Sequence, residues 1–404
     1  MAPLSHELEP PVNPARFTGR YRNYVSLERK VNERPWVLEN SETGERRINV
    51  WCSNDYLGLS QHPAVIEATV EAVKSVGLGT GGARSISGTS IYHTRLENEI
   101  ATAHGKEAAL LFATGFTANG ATLSTICGTV SDIVAFSDSL NHASMIYGIR
   151  YSKAEKKIFR HNDVGHLEEL LKAYPLNRPK LIAFESLYSM DGDFSPLEEI
   201  LALAKKYNAF TYLDEIHAAG IYGATGTGCA EELGVLDEID IIQGGFGKAF
   251  GCAGGYIAGP KAIVDAVRSY APAFVFSTSS PAPVVAAALA SFEYNREHPE
   301  LRARLLDTVG ELKHGLKALG IPLVSDDSHI LPILVGDPYR SKEISRRLID
   351  EFGIYVQPVN APTVPEGTER LRVTPTAAHT RQDVEAFLSA IKSVWSDVTT
   401  EAAE

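Results

Sequence analysis

The chain has 404 residues, of which 44% are hydrophobic and 22% are charged, and its formal net charge is −12. This length exceeds the ~250–300 residues at which one hydrophobic core stops growing, so we expect a large domain and a smaller one. The negative charge argues against nucleic acid and anionic membranes as partners. Four widely spaced cysteines without a CxxC pair are typical of a reducing cytoplasm, with neither a disulfide framework nor a metal site. No apolar run approaches the ~18–20 residues of a membrane span.

Hydrophobic periodicity predicts helices that alternate with short buried strands. In chain order, we predict helices at 62–76 and 91–104 and strands at 130–136, 180–186, 210–214 and 239–243. Helices between strands imply a mostly parallel sheet that is covered on both faces. After residue 283 the pattern changes to helices at 284–297, 301–319, 341–352 and 381–395, with strands near 330–335, 354–356 and 370–374.

These elements predict an α/β fold in three parts. Residues 1–58 form a lead-in segment, residues 59–283 a large domain, and residues 284–404 a small α+β domain. In such a fold, ligands bind at the carboxyl ends of the parallel strands.

Two of the predicted strands end in residues that suit a pyridoxal 5′-phosphate site. Strand 210–214 ends in Asp214, with His217 three residues later, and strand 239–243 runs into glycines and Lys248. A lysine amine forms a Schiff base with the cofactor aldehyde, a buried carboxylate keeps the pyridine nitrogen protonated, and a histidine suits the ring hydroxyl. The alternative is an ordinary lysine and a polar turn, but both motifs in this order favour the cofactor site.

Other loops carry polar residues at the same predicted edge. Residues 114–119 open a helix whose free N–H groups suit a phosphate, and His142 follows a strand where its imidazole could stack on a ring. The alternatives are an ordinary glycine-containing helix start and a structural histidine. Ser277 and Thr278 are hydroxyls that suit the phosphate. The GxGxxG spacing at 77–82 follows a helix and precedes no clear one, so it predicts a flexible loop near a substrate rather than a dinucleotide site.

Taken together, the chain resembles the α-oxoamine synthase family of fold-type I pyridoxal-phosphate enzymes, and within it the 5-aminolevulinate synthases, from residue 19 to residue 395. The segments that carry the resemblance are WCSNDYLG (51–58), ISGT (86–89), LNHASM (140–145), FRHND (159–163), ESLYSMDGD (185–193), LDEIHA (213–218), FGKAFG (246–251), RSYAP (268–272) and TVP (363–365).

The resemblance implies a decarboxylative condensation of an amino acid with an acyl-coenzyme A, in a homodimer whose active sites are shared between subunits; the cytoplasmic location is predicted from the cysteines. It implies that Lys248 bonds the cofactor, Asp214 pairs with its ring nitrogen, and His142 stacks on its ring. The other implied cofactor residues are Gly115, Phe116, Glu185, Ser189, His217, Ser277 and, from the other subunit, Thr278. The implied substrate residues are Arg22, Asn54, Ala83, Ser85, Ser137 and Arg372, with no metal.

Three positions depart from the family pattern. Where 5-aminolevulinate synthases have Thr and Asn, this chain has Ala83 and Ser85, so both the usual acyl group and glycine come into question. Gly245 stands where the family has a phosphate-binding Thr, and loss of one neutral hydrogen bond, ~0.5–1.5 kcal/mol, predicts weaker cofactor retention. The alternatives are a specialised α-oxoamine synthase with a larger amino acid or another acyl group, a non-catalytic homologue that binds pyridoxal phosphate or a protein partner, and an aminotransferase or C–C lyase of the same fold.

Overall fold

The computed structural model describes residues 25–41 and 44–400. Its strands, in chain order, are β1 Leu27–Glu28, β2 Trp36–Ser41, β3 Gly44–Val50, β4 Ala108–Phe112, β5 Val134–Asp138, β6 Glu155–Phe159, β7 Lys180–Glu185, β8 Phe210–Asp214, β9 Ile241–Gly245, β10 Gly255–Gly259, β11 Leu331–Leu334, β12 Ile354–Tyr355, β13 Gln357–Val359 and β14 Arg370–Val373.

The α-helices, in chain order, are α1 Pro63–Val76, α2 Ile91–Ala103, α3 Gly115–Thr129, α4 Ala143–Ser152, α5 Val164–Lys172, α6 Leu197–Tyr207, α7 Cys229–Glu232, α8 Lys261–Tyr270, α9 Pro272–Val275, α10 Ala282–Glu297, α11 Glu300–Ala318, α12 Pro338–Phe352 and α13 Arg381–Thr400. Several begin at a side-chain cap. Thr114 caps α3 and Asp163 caps α5, because each accepts a hydrogen bond from a backbone N–H of the first turn.

Residues 54–189 and 193–302 form one compact unit around a seven-stranded sheet. The strand order is β4-β10-β9-β8-β7-β5-β6; the pairs from β9 to β6 are parallel, and β10 is antiparallel to both β9 and β4. The predicted α/β fold with a mostly parallel sheet is therefore confirmed. Strand β10, Gly-Tyr-Ile-Ala-Gly, was not predicted because glycines at both ends leave only a short apolar run.

The core of this unit lies on both faces of the sheet. Every residue of β7 is buried, and its apolar side chains alternate between the two faces. Leu181 and Ala183 pack in one apolar cluster, and Ile182 and Phe184 pack in the other. A strand covered on both faces needs apolar residues at consecutive positions, which explains why β7 and β8 were recognised from the sequence.

The remaining described residues group into a second unit, which contains residues 25–41, 44–53, 190–192 and 303–400. It holds two sheets, in the orders β1-β2-β3-β12 and β11-β14-β13. Within it, the ring of Trp51 packs against two others: its centroid lies 3.9 Å from the ring centroid of His379 and 4.6 Å from that of Phe387. Strands β1 to β3 were not predicted, and the division at residues 58 and 283 stays a prediction. Within the described ranges, no helix combines the length and apolar composition that crossing a membrane requires.

Candidate active site

The site begins with the register of three neighbouring strands. Glu185 at the end of β7 lies opposite Asp214 at the end of β8, and Asp214 lies opposite Gln243 on β9. Three residues beyond the end of β9, the chain reaches the half-buried Lys248. Carboxyl ends of parallel strands share one edge of the sheet, which is where α/β folds bind their ligands.

Asp214 is buried and held by two hydrogen bonds. Its Oδ2 accepts from Nδ2 of Asn119 at 2.7 Å, and its Oδ1 accepts from the backbone N–H of Ile216 at 2.8 Å. Burial raises the pKa of Asp214, whereas these two hydrogen bonds and the charges of His142 and Lys248 act in the opposite direction. A cationic group beside this carboxylate would therefore favour its ionised form.

A chain of hydrogen bonds runs from Asp214 to His142. Nδ2 of Asn119 also donates to Oγ of Ser144 at 3.0 Å, and Oγ of Ser144 lies 2.6 Å from Nδ1 of His142. The backbone N–H of Ser144 donates to the same Nδ1 at 3.3 Å, so Nδ1 is an acceptor and the neutral ring carries its proton on Nε2. The imidazole is thus fixed in one orientation beside Asp214.

Asn119 was missed at the sequence level. It lies on α3, is 1% exposed, and its Oδ1 accepts from the hydroxyl of Tyr212 at 2.8 Å. The signal that could have revealed it is a lone amide among the small and apolar residues of this helix. A buried amide of this kind requires partners, and here two of its three partners, Asp214 and Ser144, belong to the site.

Glu185 holds the backbone of His142. One of its carboxyl oxygens accepts from the backbone N–H of His142 at 2.5 Å. Burial, followed by the charge of Asp214, raises the pKa of Glu185 well above its usual range. Glu185 therefore positions the backbone of His142.

Tyr56 joins a predicted cofactor residue to a predicted substrate residue. Its hydroxyl lies 2.8 Å from Nδ1 of the buried His217 and 3.2 Å from Oδ1 of Asn54. His217 and Asn54, which are distant in sequence, thus both contact one phenol oxygen.

The first residues of α3 form a narrow cradle. Gly115 and Phe116 follow the cap residue Thr114, whose Oγ1 accepts from the N–H of Thr117 at 3.0 Å. A Cβ on Gly255 would lie 2.6 Å from Cα of Gly115, so β10 approaches the helix start as only glycine allows. The early N–H groups of this helix suit an anion.

Two neighbouring segments contain the predicted phosphate residues Ser277 and Thr278 and the positions Ala83 and Ser85, where the chain differs from the family pattern. Ala83 pairs with Thr278 in an antiparallel bridge, which brings the turn with Ser85 close to Ser277 and Thr278. Ser85 and Thr278 are exposed, whereas the hydroxyl of Ser277 donates to the carbonyl of Ala273 at 2.6 Å.

The remaining predicted site residues lie on different elements of the chain. Ser137 is buried on β5 and accepts from the amide of Asn141 at 2.9 Å, and Ser189 lies in the turn after Tyr188. Arg372 is buried on β14, in the second unit. Arg22 lies outside the described residues. The roles of these residues stay predictions.

The residues present fit pyridoxal 5′-phosphate. Asp214 offers a buried carboxylate for a ring nitrogen, Lys248 offers an amine, and the charges of both act on His142. The start of α3 offers early backbone N–H groups to a phosphate, and only glycine fits at position 115 because a Cβ there would lie 2.5 Å from Cδ1 of Ile216. In the described part of the chain, no group of three or more histidine, cysteine, aspartate or glutamate side chains is arranged to hold a metal ion.

Comparison with known proteins agrees with this class of enzyme. The family described as Aminotransferase class I and II matches residues 47–391. The 5-aminolevulinate synthase of Rhodobacter capsulatus is 49% identical over 389 residues, covering 96% of this chain and 95% of the relative. That of Paracoccus denitrificans is 50% identical over 387 residues, covering 94% and 93%.

Solved structures agree as well. A serine palmitoyltransferase of Sphingomonas wittichii has a TM-score of 0.89 at 30% identity, covering 99% of this chain and 98% of that one. A high-resolution structure of SPT with its PLP internal aldimine has a TM-score of 0.90 at 30% identity, covering 99% and 100%. An 8-amino-7-oxononanoate synthase of Francisella tularensis, at 24% identity and a TM-score of 0.75, shares the fold, over 88% of this chain and 99% of its own.

The site and fold thus define a pyridoxal-phosphate-dependent enzyme of the aminotransferase-like fold. More specifically, the chain belongs to the class I and II aminotransferase family and, within it, to the α-oxoamine synthases, a group of acyltransferases that includes the 5-aminolevulinate synthases. The expected family, fold class and cofactor dependence are confirmed.

Proposed function

We propose that this chain condenses an amino acid with an acyl-coenzyme A and releases carbon dioxide and coenzyme A. The observation that carries the proposal is the hydrogen-bonded series Asp214, Asn119, Ser144 and His142, whose two ends share an electrostatic neighbour in Lys248. A site built only for stability has no need of an amine beside a buried carboxylate and an oriented imidazole.

The residues divide the work between charge and proton transfer. Bound pyridoxal phosphate supplies an electron sink for the bonds broken at the amino-acid Cα. Asp214 holds a positive charge on the ring nitrogen, and Lys248 takes and returns the Cα proton, a general-base role worth ~10²–10⁴-fold. His142 would stack on the ring of bound cofactor, and Glu185 and Ser144 hold its backbone N–H and its Nδ1 in place.

Other groups hold the phosphate, ring oxygen and substrate. Gly115 and Phe116 offer backbone N–H groups to the phosphate, and His217 and Ser189 approach the ring oxygen. Asn54 and Arg372 hold the amino-acid carboxylate, and Arg22 and Ser137 contribute to the acyl-coenzyme A site. The contact of Tyr56 with both His217 and Asn54 supports placing these two residues in one site.

Glycine and succinyl-coenzyme A are the first substrates to test, because the curated relatives are 5-aminolevulinate synthases. A second candidate is an amino acid larger than glycine or another acyl group. It is favoured by Ala83 and Ser85, which present less volume and fewer donors than the Thr and Asn of the family pattern.

The active unit is proposed to be a homodimer, with Thr278 of one subunit reaching the phosphate in the other. The paired segments around Ala83 and Thr278 expose several large apolar side chains, a surface that is typical of a protein interface. They are Phe276, 84% exposed; Leu78, 73%; Ile86, 71%; and Ile91, 63%. Sedimentation at micromolar concentration should show a dimer, and an active monomer would contradict this assignment.

Two further proposals concern location and domains. We infer a cytoplasmic enzyme, which four free cysteines support. We also keep residues 59–283 as the cofactor-binding domain and residues 284–404 as the small domain.

A coenzyme A release screen tests the proposed reaction. The purified protein, loaded with pyridoxal phosphate, is offered several amino acids and acyl-coenzymes A, and free thiol is measured. Thiol release that requires both substrates is expected, together with covalent attachment of the cofactor to Lys248 after borohydride reduction. An aminotransferase or lyase would release no thiol, and a non-catalytic homologue would bind cofactor without turnover.

Lysine variants provide the matched control. Lys248→Ala should lose at least ~10²-fold in kcat, because it removes the general base. Lys261→Ala, which removes an exposed lysine paired with Asp265, should keep full activity. Undiminished turnover by the Lys248→Ala protein would exclude the assignment.

A further inference from the structure

His93 is a buried histidine on α2 that joins two serines from different segments. It is 1% exposed, its Nδ1 lies 2.8 Å from Oγ of Ser90, and its Nε2 lies 2.9 Å from Oγ of Ser279. His93 lies outside the residues to which the proposed chemistry assigns a role.

The protonation of His93 follows from its partners. The backbone N–H of Ser90 is only a donor, and it points at Nδ1 at 3.2 Å. Nδ1 is therefore an acceptor, and Nε2 carries the proton, for which Oγ of Ser279 at 2.9 Å and the backbone of Ser280 are the acceptors. Burial, followed by the charge of Arg84, lowers the pKa of His93 to about 4, so the ring is neutral near pH 7.

Ser279 is also tied to the loop formed by residues 79–89. Its backbone N–H donates to the carbonyl of Gly82 at 3.0 Å, and its carbonyl accepts from the hydroxyl of Thr80 at 3.2 Å. The next residues outward, Ala83 and Thr278, form the antiparallel bridge. The chain around Thr278 thus pairs with the loop that contains Ala83 and Ser85.

The loop is closed on itself and anchored to α2. A Cβ on Gly88 would lie 2.2 Å from the carbonyl oxygen of Gly82, so the two ends of the turn are in contact. Arg84 makes two hydrogen bonds of 2.9 Å to the carboxylate of Glu97 on α2. Glu97 thus holds Arg84 of the loop directly. His93 holds Ser279, whose segment pairs with the loop at Gly82 and Ala83.

We propose that His93 is a positioning residue that holds the 79–89 loop and the 277–279 segment as one unit. The proposal rests on the proposed function, in which Thr278 reaches the cofactor phosphate and Ala83 and Ser85 line the substrate pocket. One buried histidine then positions both Thr278 and the 79–89 loop, which contains Ala83 and Ser85. A change at His93 therefore affects both the phosphate site and the substrate pocket.

Two substitutions of His93 separate its two contacts. In His93→Gln, the side-chain amide reaches the position of Nε2 and retains the contact with Ser279. In His93→Asn, the shorter amide reaches only the position of Nδ1 and retains the contact with Ser90. Ser279→Ala removes the acceptor with little change in volume, so it tests the same contact if His93 variants fold poorly.

Hydrogen–deuterium exchange and pyridoxal phosphate titration provide the readouts. His93→Asn and Ser279→Ala should increase exchange in both peptides, 79–89 and 277–280, and raise the cofactor Kd by ~3- to 10-fold, the effect of one lost hydrogen bond. His93→Gln should restore most of both. The control is His104→Asn, at the other end of α2, where Nε2 lies 2.9 Å from the hydroxyl of Tyr256; it should lower Tm without changing the cofactor Kd or exchange in either peptide.

The outcomes separate this proposal from the proposed reaction. Exchange that rises in only one segment, or a cofactor Kd that stays unchanged while both segments loosen, would overturn the role of His93. Exchange and Kd that respond together in a protein without coenzyme A release would support His93 and refute the reaction.

Discussion

The δ-methyl group of Ile216 occupies the space that a side chain at position 245 would need. A Cβ on Gly245 would lie 2.7 Å from Cδ1 and 2.9 Å from Cγ1 of Ile216, and a Cβ on Gly115 would lie 2.5 Å from the same Cδ1. Ile216 thus fills the gap between the start of α3 and the end of β9. The glycines at positions 115 and 245 are a packing requirement of this one side chain.

The first prediction is that Gly115→Ala and Ile216→Val are coupled. Gly115→Ala should destabilise the apo-protein by ~1–3 kcal/mol, because the added Cβ meets Cδ1 of Ile216. Ile216→Val removes that atom, so the double variant should be less destabilised than the sum of the single changes by ~1 kcal/mol. Denaturant unfolding of all four proteins measures the difference, and additive effects would contradict the contact.

The second prediction concerns the missing hydroxyl at Gly245. Gly245→Thr alone should weaken pyridoxal phosphate binding, because it drives the side chain of Ile216 out of its place. Combined with Ile216→Ala, the new hydroxyl gains room, and cofactor affinity should exceed that of the single variant by ~3- to 10-fold. Ile216→Ala with Gly245→Ala is the control without a hydroxyl. If both double variants bind the cofactor equally well, the hydroxyl has no role.

The residues that act through local sequence were predictable. Asp214, His217 and Lys248 follow strands whose apolar runs are visible in the sequence, and β8 has the predicted bounds of 210–214. The strand order places the ends of β8 and β9 side by side, so the strand pattern was sufficient to predict that these residues lie at one edge of the sheet, while their roles stay predictions.

The residues that act through distant packing were not predictable. In the sequence, Asn119 is indistinguishable from an ordinary helical residue. Its role depends on its contacts with Asp214 and Tyr212, which lie on β8. In the sequence, Ile216 is only an apolar residue between Glu215 and His217. Its packing against Gly115 on α3 and Gly245 on β9 is visible only in the structure. Such contacts depend on tertiary structure, which no periodicity encodes.

The third prediction is that Asn119 sets the acid limb of the pH profile. Its hydrogen bond lowers the pKa of Asp214, so Asn119→Ala should raise that pKa and move the acid limb of kcat/KM to higher pH. One hydrogen bond to a charged group, ~1.5–3 kcal/mol, predicts a loss of about 10- to 100-fold in kcat/KM. Tyr212→Phe removes the bond to Oδ1 of Asn119 but keeps the bond from Asn119 to Asp214, so it should leave the acid limb in place. An unchanged pH profile in Asn119→Ala would refute this role.

The fourth prediction concerns the charged cluster at His161. Its Nδ1 lies 3.0 Å from Oδ1 of the buried Asp138 and its Nε2 lies 2.8 Å from Oδ2 of Asp193. Burial alone lowers the pKa of His161, but hydrogen bonds to both carboxylates outweigh it and raise the pKa to about 10. The protonated ring therefore links Asp138, at the end of β5, to Asp193.

The sign of the pH dependence follows from the raised pKa. In the unfolded chain the histidine pKa is ~6.5, so the stabilisation is fully present below that pH and is lost as pH rises toward about 10. His161→Gln should cost ~3 kcal/mol near pH 6, because it leaves Asp138 buried without its cation. The difference from the parent protein in denaturant unfolding should shrink by pH 10. Asp193→Asn should bring the upper end of this window to lower pH. A difference that is constant from pH 6 to pH 10 would contradict a charged His161.

The last prediction concerns the choice of substrate. Ala83 lacks the hydroxyl and the methyl branch of threonine, and Ser85 is shorter than asparagine, so the pocket should be roomier near the amino-acid Cα and poorer in donors for a distal carboxylate. Two lost hydrogen bonds to a charged group, at ~1.5–3 kcal/mol each, predict a loss of about 10²-fold or more in succinyl-coenzyme A use unless Arg22 compensates. Because Ala83 pairs with Thr278 through its backbone, a larger side chain at position 83 leaves that bridge intact. The measurement is kcat/KM for glycine with succinyl-coenzyme A against alanine, serine and glutamate with several acyl-coenzymes A, in the parent protein and in the Ala83→Thr, Ser85→Asn double variant. The double variant should gain glycine and succinyl-coenzyme A activity relative to the other pairs. A parent protein that already prefers that pair strongly, with no gain in the double variant, would show that these two positions do not set specificity.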